Sequence, residues 1–382
     1  MPFSASAAEG VAPFSGGVES TARVAYSAMA VMPQSSASNW FSATSGRPTG
    51  VCEDADVYRQ QRLTTPESDM STIHHDITTP GPPQLQEVDD GVFAYIQPDG
   101  TWWINNTGFL VGQRAVISID TCATVRRTRA YLDAIRTVTP QPVRTVVNTH
   151  HHGDHTFGNF LFAGATIVGH EATRAGVLDW GEPKSAPFWT EVDWGEIVLE
   201  PPFLTYTDSV TVWVDDLRAD VRHVGVPAHT TNDSTVWLPE RKVLYCGDLL
   251  FNGGTPFLVQ GSVAGAIEVL EKVVKPLGAA TIVPGHGAVA GPELIDEVVG
   301  YLRFVQTGAR AGHDAGLSPL DTARGLDLGQ YADLLDSERI VGNLHRAYAE
   351  LDGEPLGARI DVAAALTDMV TYNGGRPLSC LA

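Results

Sequence analysis

The feature that most constrains this chain is a cluster of metal-binding side chains at residues 148–155, which read Asn-Thr-His-His-His-Gly-Asp-His. Four candidate ligands lie within six residues: His150, His152, Asp154 and His155. The cluster directly follows the apolar run 143–148, and alternation along a strand places His150 and His152 on the same side. Gly153 lets the chain turn so that the last two ligands face a second position nearby. Imidazole and carboxylate ligands suit zinc with an open coordination position, and the preceding buried strand argues against a surface histidine-rich loop.

Hydrophobic periodicity predicts an α/β protein of the α+β type. Strand-like runs are predicted at residues 91–97, 102–111, 115–120, 143–148, 165–169, 203–214, 220–226, 234–238 and 241–246. Helical spacing is predicted at residues 124–138, 171–178, 262–275, 291–309 and 337–351. Strands in hairpins, then a helix, then the same theme again predict two sheets packed together with helices outside.

Composition along the chain predicts three segments. Residues 1–69 are rich in Ser, Ala, Gly and Pro without periodicity, so we expect a disordered N-terminal extension, or alternatively a targeting or partner-binding arm. Residues 70–310 form the predicted main domain, and residues 311–382 a helical C-terminal extension. The tryptophan-rich stretch 177–200 is predicted to be an irregular surface insertion, which together with the helical tail would shape a fairly apolar pocket.

Three further candidate ligands lie in loops downstream. His229 lies in Pro-Ala-His-Thr-Thr-Asn-Asp, Asp248 in Tyr-Cys-Gly-Asp-Leu, and His286 in Pro-Gly-His-Gly. Each follows an apolar strand and is flanked by Gly or Pro, which predicts a position at a strand end. Taken singly, such a residue is more often an ordinary polar side chain than a ligand.

Taken together, their order resembles the metallo-β-lactamase superfamily, whose pattern is HxHxDH, then a His, a bridging Asp, and a His in a Gly-rich turn. The resemblance covers roughly residues 88–310 and implies an αββα sandwich of two mixed β-sheets flanked by helices. By the same resemblance, the first zinc would be bound by His150, His152 and His229. The second would be bound by Asp154, His155 and His286, with Asp248 bridging the two.

The resemblance implies a dinuclear zinc hydrolase that cleaves an ester-like carbonyl bond, in a thioester, lactone or lactam. Two zinc ions that share a water lower its pKa and provide a metal-bridging hydroxide at neutral pH. Asp154 would be the catalytic residue, because it would bind metal and also orient the hydroxide. No separate Ser or Cys nucleophile is needed, and iron or manganese are alternative metals.

Two polar neighbours of the cluster have open interpretations. His151 points opposite to the candidate ligands, so we expect a supporting or solvated residue. Asp120 ends a strand-like run, where it either hydrogen-bonds a ligand histidine or is an ordinary strand-terminal carboxylate.

The candidate pocket residues are aromatic. Trp102, Trp103 and Phe157 are predicted either to line the pocket mouth or to pack in the core, and Phe251 to lie in the pocket. Where the commonest β-lactamases of this family carry a Lys that grips the substrate carboxylate, this chain has Phe251, which disfavours a dedicated β-lactamase. Glutathione thioesterases of this family bind their substrate with basic residues near the C-terminal helices. No lysine follows Lys275 in this chain, which disfavours a glutathione thioester as the substrate.

The overall charge limits the classes of molecule that the protein is expected to bind. A formal net charge of −20 repels phosphate backbones, so we expect a small-molecule substrate and neither nucleic acid nor a membrane as partner. No apolar run has the length of a membrane span, and no secretory signal is recognised. Four scattered cysteines form no disulfide framework, and together these features predict a cytoplasmic protein.

Alternatives remain open at this stage. One is an antibiotic hydrolase of the β-lactamase type. Another is an iron-loaded redox enzyme on the same fold, and a third is a non-catalytic metal-binding protein. Metal analysis of the purified protein separates the last two from the zinc hydrolase.

Overall fold

The computed structural model describes residues 80–183 and 187–382, and the predicted extension 1–69 lies outside them. The strands are β1 (Gln84–Asp89), β2 (Val92–Ile96), β3 (Thr107–Val111), β4 (Val116–Ile119), β5 (Val143–Val147), β6 (Thr166–His170), β7 (Leu204–Tyr206), β8 (Ser209–Val214), β9 (Leu217–His223), β10 (Ser234–Leu238), β11 (Val243–Tyr245) and β12 (Thr281–Val283). The helices are α1 (Val125–Val138), α2 (Gly153–Thr156), α3 (Glu171–Trp180), α4 (Val263–Val269), α5 (Glu293–Asp314), α6 (Pro319–Gly325), α7 (Arg339–Leu351) and α8 (Val362–Tyr372). None of the helices in the described residues has the length and apolar character needed to cross a membrane.

The strands form two mixed sheets. The first has the order β1-β2-β3-β4-β5-β6-β7, antiparallel up to β4 and parallel from β4 to β7. The second has the order β12-β11-β10-β9-β8, in which only the β11–β12 pair is parallel. Both sheets therefore fit the expected fold class.

Side-chain alternation along β2 shows how the layers are built. Val92 and Ile96 pack into the apolar cluster between the two sheets, whereas Phe93 and Tyr95 pack on the opposite face with α1. Both faces of this strand are buried, because every second side chain points to the other layer. The order of layers is helix, sheet, sheet, helix, which confirms the predicted αββα sandwich.

The ends of helix α1 are fixed by local interactions that the sequence predicts. Thr124 caps its N-terminus by accepting a hydrogen bond from Arg127 N at 3.2 Å, and the helix ends just before Pro140. Tyr131 and Ile135 lie one turn apart on its buried face. The predicted helix 124–138 is confirmed to within one residue.

Two strand predictions were wrong in part. The run 203–214 divides into β7 and β8, which belong to different sheets, because the chain crosses between the layers at residues 207–208. The run 102–111 is a strand only from Thr107 onward. Before it, Trp103 has a left-handed φ of 64°, and the Asn106 side chain donates hydrogen bonds to the carbonyls of Pro284 and Gly287. These long-range bonds hold residues 102–106 as a loop.

The C-terminal helices pack against the second sheet. Side chains of α5, α7 and α8, among them Leu302, Leu344 and Met369, share one apolar cluster with Leu244 of β11. Helix α7 lies directly against the loop 255–262 that follows Asp248. The segment 311–382 thereby reaches the ends of the strands that carry the candidate ligands.

Candidate metal centre

The candidate ligands lie in loops at neighbouring strand ends. Strand β5 leads into His150, and the short helix α2 carries Asp154 in its first turn. Asp248 follows β11 in a tight turn, and His286 follows β12. Gly285 allows these last two loops to approach, because a Cβ at this position would overlap Asp248 Oδ1 and the backbone of Gly247.

The structure brings all seven candidate ligands into two groups that share one carboxylate. The first group is His150, His152, His229 and Asp248, and the second is Asp154, His155, His286 and Asp248; within each, the potential ligand atoms lie within 4.8 Å of one another. Asp248 Oδ1 lies 3.0 Å from His155 Nε2, and Asp248 Oδ2 lies 3.3 Å from both His229 Nε2 and His286 Nε2. The shared carboxylate thus lies between the two groups.

Several of these atoms are buried without a hydrogen-bond partner in the described chain. They include Nε2 of His150, Nε2 of His155 and Oδ1 of Asp248. Buried polar atoms are almost always satisfied, so the grouping of three such atoms is the arrangement expected of metal ligands. Imidazole nitrogens and carboxylate oxygens are donors for divalent transition metals, and the donor set fits a dinuclear metal site.

The electrostatics of the groups favour the ligand forms of the side chains. Burial, together with neighbouring imidazoles, lowers the pKa of His150 and of His152 well below the usual value, so both are neutral. Burial alone would raise the pKa of Asp248, but the nearby His286 and His155 hold it well below its usual value. Burial likewise opposes protonation of His155, yet the carboxylates of Asp248, Asp120 and Asp154 raise its pKa well above the usual value. A bound cation would replace that proton in balancing the carboxylates.

A second layer of side chains orients the ligands, and Asp120 is at its centre. Asp120 Oδ2 accepts hydrogen bonds from His155 Nδ1 at 2.8 Å and from Thr149 Oγ1 at 2.7 Å. Thr149 Oγ1 in turn lies 3.1 Å from His150 Nδ1. This chain of bonds directs Nε2 of one histidine in each group toward the metal position.

The loop 255–262 orients two further ligands. The Phe257 carbonyl oxygen lies 2.5 Å from His229 Nδ1, and Gln260 Oε1 lies 2.5 Å from His152 Nε2. Helix α7 holds this loop through Asn343, which donates to the Pro256 carbonyl at 2.7 Å and accepts from Leu258 N at 2.9 Å. Sequence reasoning missed Gln260 and Asn343, since neither lies in a motif and only the packing of α7 brings them to the site.

An aromatic pocket opens over the two groups. Of the predicted pocket residues, Trp102, Trp103 and Phe251 line it. Phe157 does not; it is 2% exposed and stacks behind Trp103 with ring centroids 6.2 Å apart. Arg339 also lines the pocket, and no sequence motif marks this position.

The stretch 177–200 contributes to this pocket through its tryptophans. Trp180, at the end of α3, and Trp189 both line the pocket, and Trp194 packs edge-on against Trp103 at 5.0 Å. The tryptophans of this stretch turn inward because Trp102 and Trp103 offer them an aromatic surface.

His151 lies outside both metal groups. Its Nδ1 accepts from Asn232 Nδ2 at 3.0 Å, and its ring packs edge-on against Trp180 at 6.0 Å. Burial lowers the pKa of His151 to about 4, so it is a neutral supporting side chain.

Comparisons with known proteins agree with this fold and this site. The profile of the metallo-beta-lactamase superfamily matches residues 100–286. A metallo-beta-lactamase from Pontibacter korlensis superposes with a TM-score of 0.50 at 18% identity, covering 58% of this chain and 99% of that one. A metallo-beta-lactamase type 2 from Bacteroides fragilis is 26% identical over 220 residues, which are 56% of this chain and 82% of that protein.

A second kind of relative matches a shorter region. A hydroxyacylglutathione hydrolase from Rhodospirillum rubrum is 31% identical over 143 residues, 36% of this chain. The chain spans 45% of the length of that relative. An αββα sandwich with ligand groups for two metals defines a class of metal-binding proteins, and the comparisons identify a family within that class. Residues 100–286 of the chain belong to the metallo-β-lactamase superfamily.

Proposed function

We propose that the protein is a dinuclear zinc hydrolase that cleaves an ester-like carbonyl bond in a small molecule. The observation that carries this proposal is the pair of four-residue groups sharing Asp248, with buried unpartnered nitrogen and oxygen atoms directed between them. His150, His152 and His229 would hold one zinc, and Asp154, His155 and His286 the other. The two relatives described above are named as a hydrolase and a β-lactamase, and these names fit the same general chemistry.

The chain supplies positioning and proton handling. When bound, a pair of zinc ions supplies an activated water at neutral pH and positive charge near the substrate carbonyl. Asp154 lines the pocket, with its Oδ2 3.4 Å from His286 Nε2, where it can accept a hydrogen bond from the attacking water. The carboxylate is then placed to receive the proton of that water and pass it to the leaving group.

The cysteines near the site are poor candidates for a covalent nucleophile. Cys246 is buried two residues before Asp248, and burial raises the pKa of its thiol far above the usual value. Burial also raises the pKa of Cys122 to about 11. Neither forms a thiolate at neutral pH, so attack by water is the consistent route.

The substrate proposal is a thioester or lactone in preference to a β-lactam. Phe251 lies in the pocket and stacks on His286 with ring centroids 5.0 Å apart. A β-lactam carboxylate against this ring would lose its water without gaining a partner, which costs roughly several kcal/mol of binding free energy. This cost would lower kcat/KM by orders of magnitude. The β-lactamase alternative is favoured by the long match to the Bacteroides protein.

The test combines metal analysis with a substrate panel. We expect about two zinc ions per chain, loss of activity on chelation and recovery on adding zinc. The panel contains a chromogenic cephalosporin, acyl-homoserine lactones, acyl thioesters and phosphodiesters. A kcat/KM for a penicillin or carbapenem above that for every lactone and thioester would overturn the substrate proposal, and iron in place of zinc would favour a redox enzyme.

A further inference from the structure

The pocket over the metal groups is walled by indole rings. We call Trp102, Trp103, Trp180 and Trp189 the tryptophan wall. Trp189 packs edge-on against Trp103 with ring centroids 5.6 Å apart and against Trp102 at 5.9 Å. Trp103, Trp180 and Trp189 are only half-buried, so part of their ring surface remains available to a ligand.

The hydrogen bonds of the wall are incomplete. Trp102 Nε1 donates to Glu338 at 2.7 Å, as is usual for a buried indole. The Nε1 atoms of Trp103 and Trp189 are buried and have no hydrogen-bond partner among the described residues. Because these two nitrogens have no exposed surface, a ligand in the pocket would meet the ring carbons of the indoles and not their N–H groups.

The charge of the pocket disfavours an anionic ligand group. Arg339 is the only arginine or lysine among the described lining residues. Its guanidinium lies 4.0 Å above the Trp102 ring, contacts Asp336 Oδ2 at 2.8 Å and donates to the Thr255 carbonyl at 2.9 Å. Because Asp336 already neutralises this cation, a carboxylate in the pocket would have no free positive partner from these residues.

We propose that the tryptophan wall binds a neutral, planar aromatic group that lies next to the scissile carbonyl. The substrate class is then an aryl-substituted thioester or lactone. The assignment of the scissile bond rests on the proposed hydrolase function, but the aromatic preference rests on the wall alone. Stacking and edge-on contacts with two indoles favour a phenyl over a cyclohexyl ring by about tenfold.

Binding is measured separately from hydrolysis. Benzyl methyl ketone and cyclohexylmethyl methyl ketone present a carbonyl without a leaving group. Their affinities for the zinc-loaded protein are determined by calorimetry. We expect the phenyl ketone to bind about tenfold more tightly than the cyclohexyl ketone. Trp180→Leu and Trp189→Leu should each reduce the preference to less than about threefold.

The matched control is Trp213→Leu, because Trp213 lies on β8 with 58% exposure, away from the pocket. This variant should keep the full preference, and circular dichroism with zinc content checks the fold of all three. Equal affinities for the phenyl and cyclohexyl ketones in the unaltered protein overturn the proposal. Tighter binding of 4-carboxyphenylacetone also overturns it, since Arg339 would then act as a carboxylate receptor.

Hydrolysis of the corresponding N-acetylcysteamine thioesters separates this inference from the proposed function. Aromatic preference in ketone binding without turnover of any thioester, lactone or lactam would contradict the hydrolase and leave the wall's specificity standing. Zinc-dependent turnover with no preference for the phenylacetyl over the cyclohexylacetyl thioester would contradict the specificity alone.

Discussion

Replacing Asp120 by asparagine should weaken metal binding at both groups. Asp120 is 3% exposed and accepts three hydrogen bonds, from Thr149 N at 2.8 Å, Thr149 Oγ1 at 2.7 Å and His155 Nδ1 at 2.8 Å. Its φ of 59° lies in the left-handed region, which asparagine tolerates better than most residues, so Asp120→Asn keeps the backbone. The change therefore isolates the loss of one acceptor oxygen and of the negative charge.

The expected loss of metal affinity follows from these hydrogen bonds. An amide has one acceptor oxygen, so its NH₂ group must face either Thr149 N–H or the donors from Thr149 Oγ1 and His155. Losing one hydrogen bond to a charged group costs about 1.5–3 kcal/mol. This matches the roughly 10- to 100-fold loss of metal affinity expected when a partner of a ligand histidine is removed. The effect reaches the other group because Thr149 links Asp120 to His150.

The assay is zinc retention against chelators of graded affinity, with free zinc buffered and the bound metal counted per chain. Asp220→Asn is the matched control, since Asp220 accepts bonds from Thr211 and Arg218 on the far strand pair β8–β9. We expect both zinc ions to dissociate at about 10- to 100-fold higher free zinc in Asp120→Asn and unchanged retention in the control. Identical retention by Asp120→Asn and the unaltered protein would refute the role of this bond network.

Three further predictions concern neighbouring parts of the structure. His152→Ala should abolish turnover and lower zinc content whereas His151→Ala should do neither severely, because only His152 Nδ1 lies beside His229 Nε2, at 2.8 Å. Asn343→Leu should lower the free energy of unfolding in urea by about 2–4 kcal/mol, since two buried backbone groups of the loop lose their partner. Burial raises the pKa of Glu338 to about 7, so the protonated carboxyl stabilises the folded state fully below pH 4.5. This stabilisation is lost as the pH rises to about 7. Glu338→Gln should remove this pH dependence of the free energy of unfolding, worth about 3 kcal/mol.

Each of these has an outcome that contradicts it. Equal zinc loss in His151→Ala and His152→Ala would mean that the ligand register is wrong. An unchanged urea midpoint and slope for Asn343→Leu would show that α7 does not hold the loop. For Glu338→Gln, a free energy of unfolding that still falls between pH 4.5 and 7 as in the unaltered protein would assign the slope to other groups.

Local sequence patterns determined the elements and the set of ligands. The apolar run before His150 could only be buried as a strand, and alternation along that strand separates His151 from its two neighbours. Thr124 and Pro140 fixed the ends of α1, because capping and the missing proline N–H act within one turn. The order of the downstream His, Asp and His could be recognised because each stands at a strand end.

The tertiary structure alone decided what surrounds those ligands. Residues 203–214 have one continuous strand pattern, yet they divide between two sheets because partner strands, not propensity, select the layer. Trp189 and Gln260 reach the pocket only through packing of distant segments, Trp102–Trp103 for one and α7 for the other. Contacts between residues tens to hundreds of positions apart leave no spacing in the sequence, so only the folded chain reveals them.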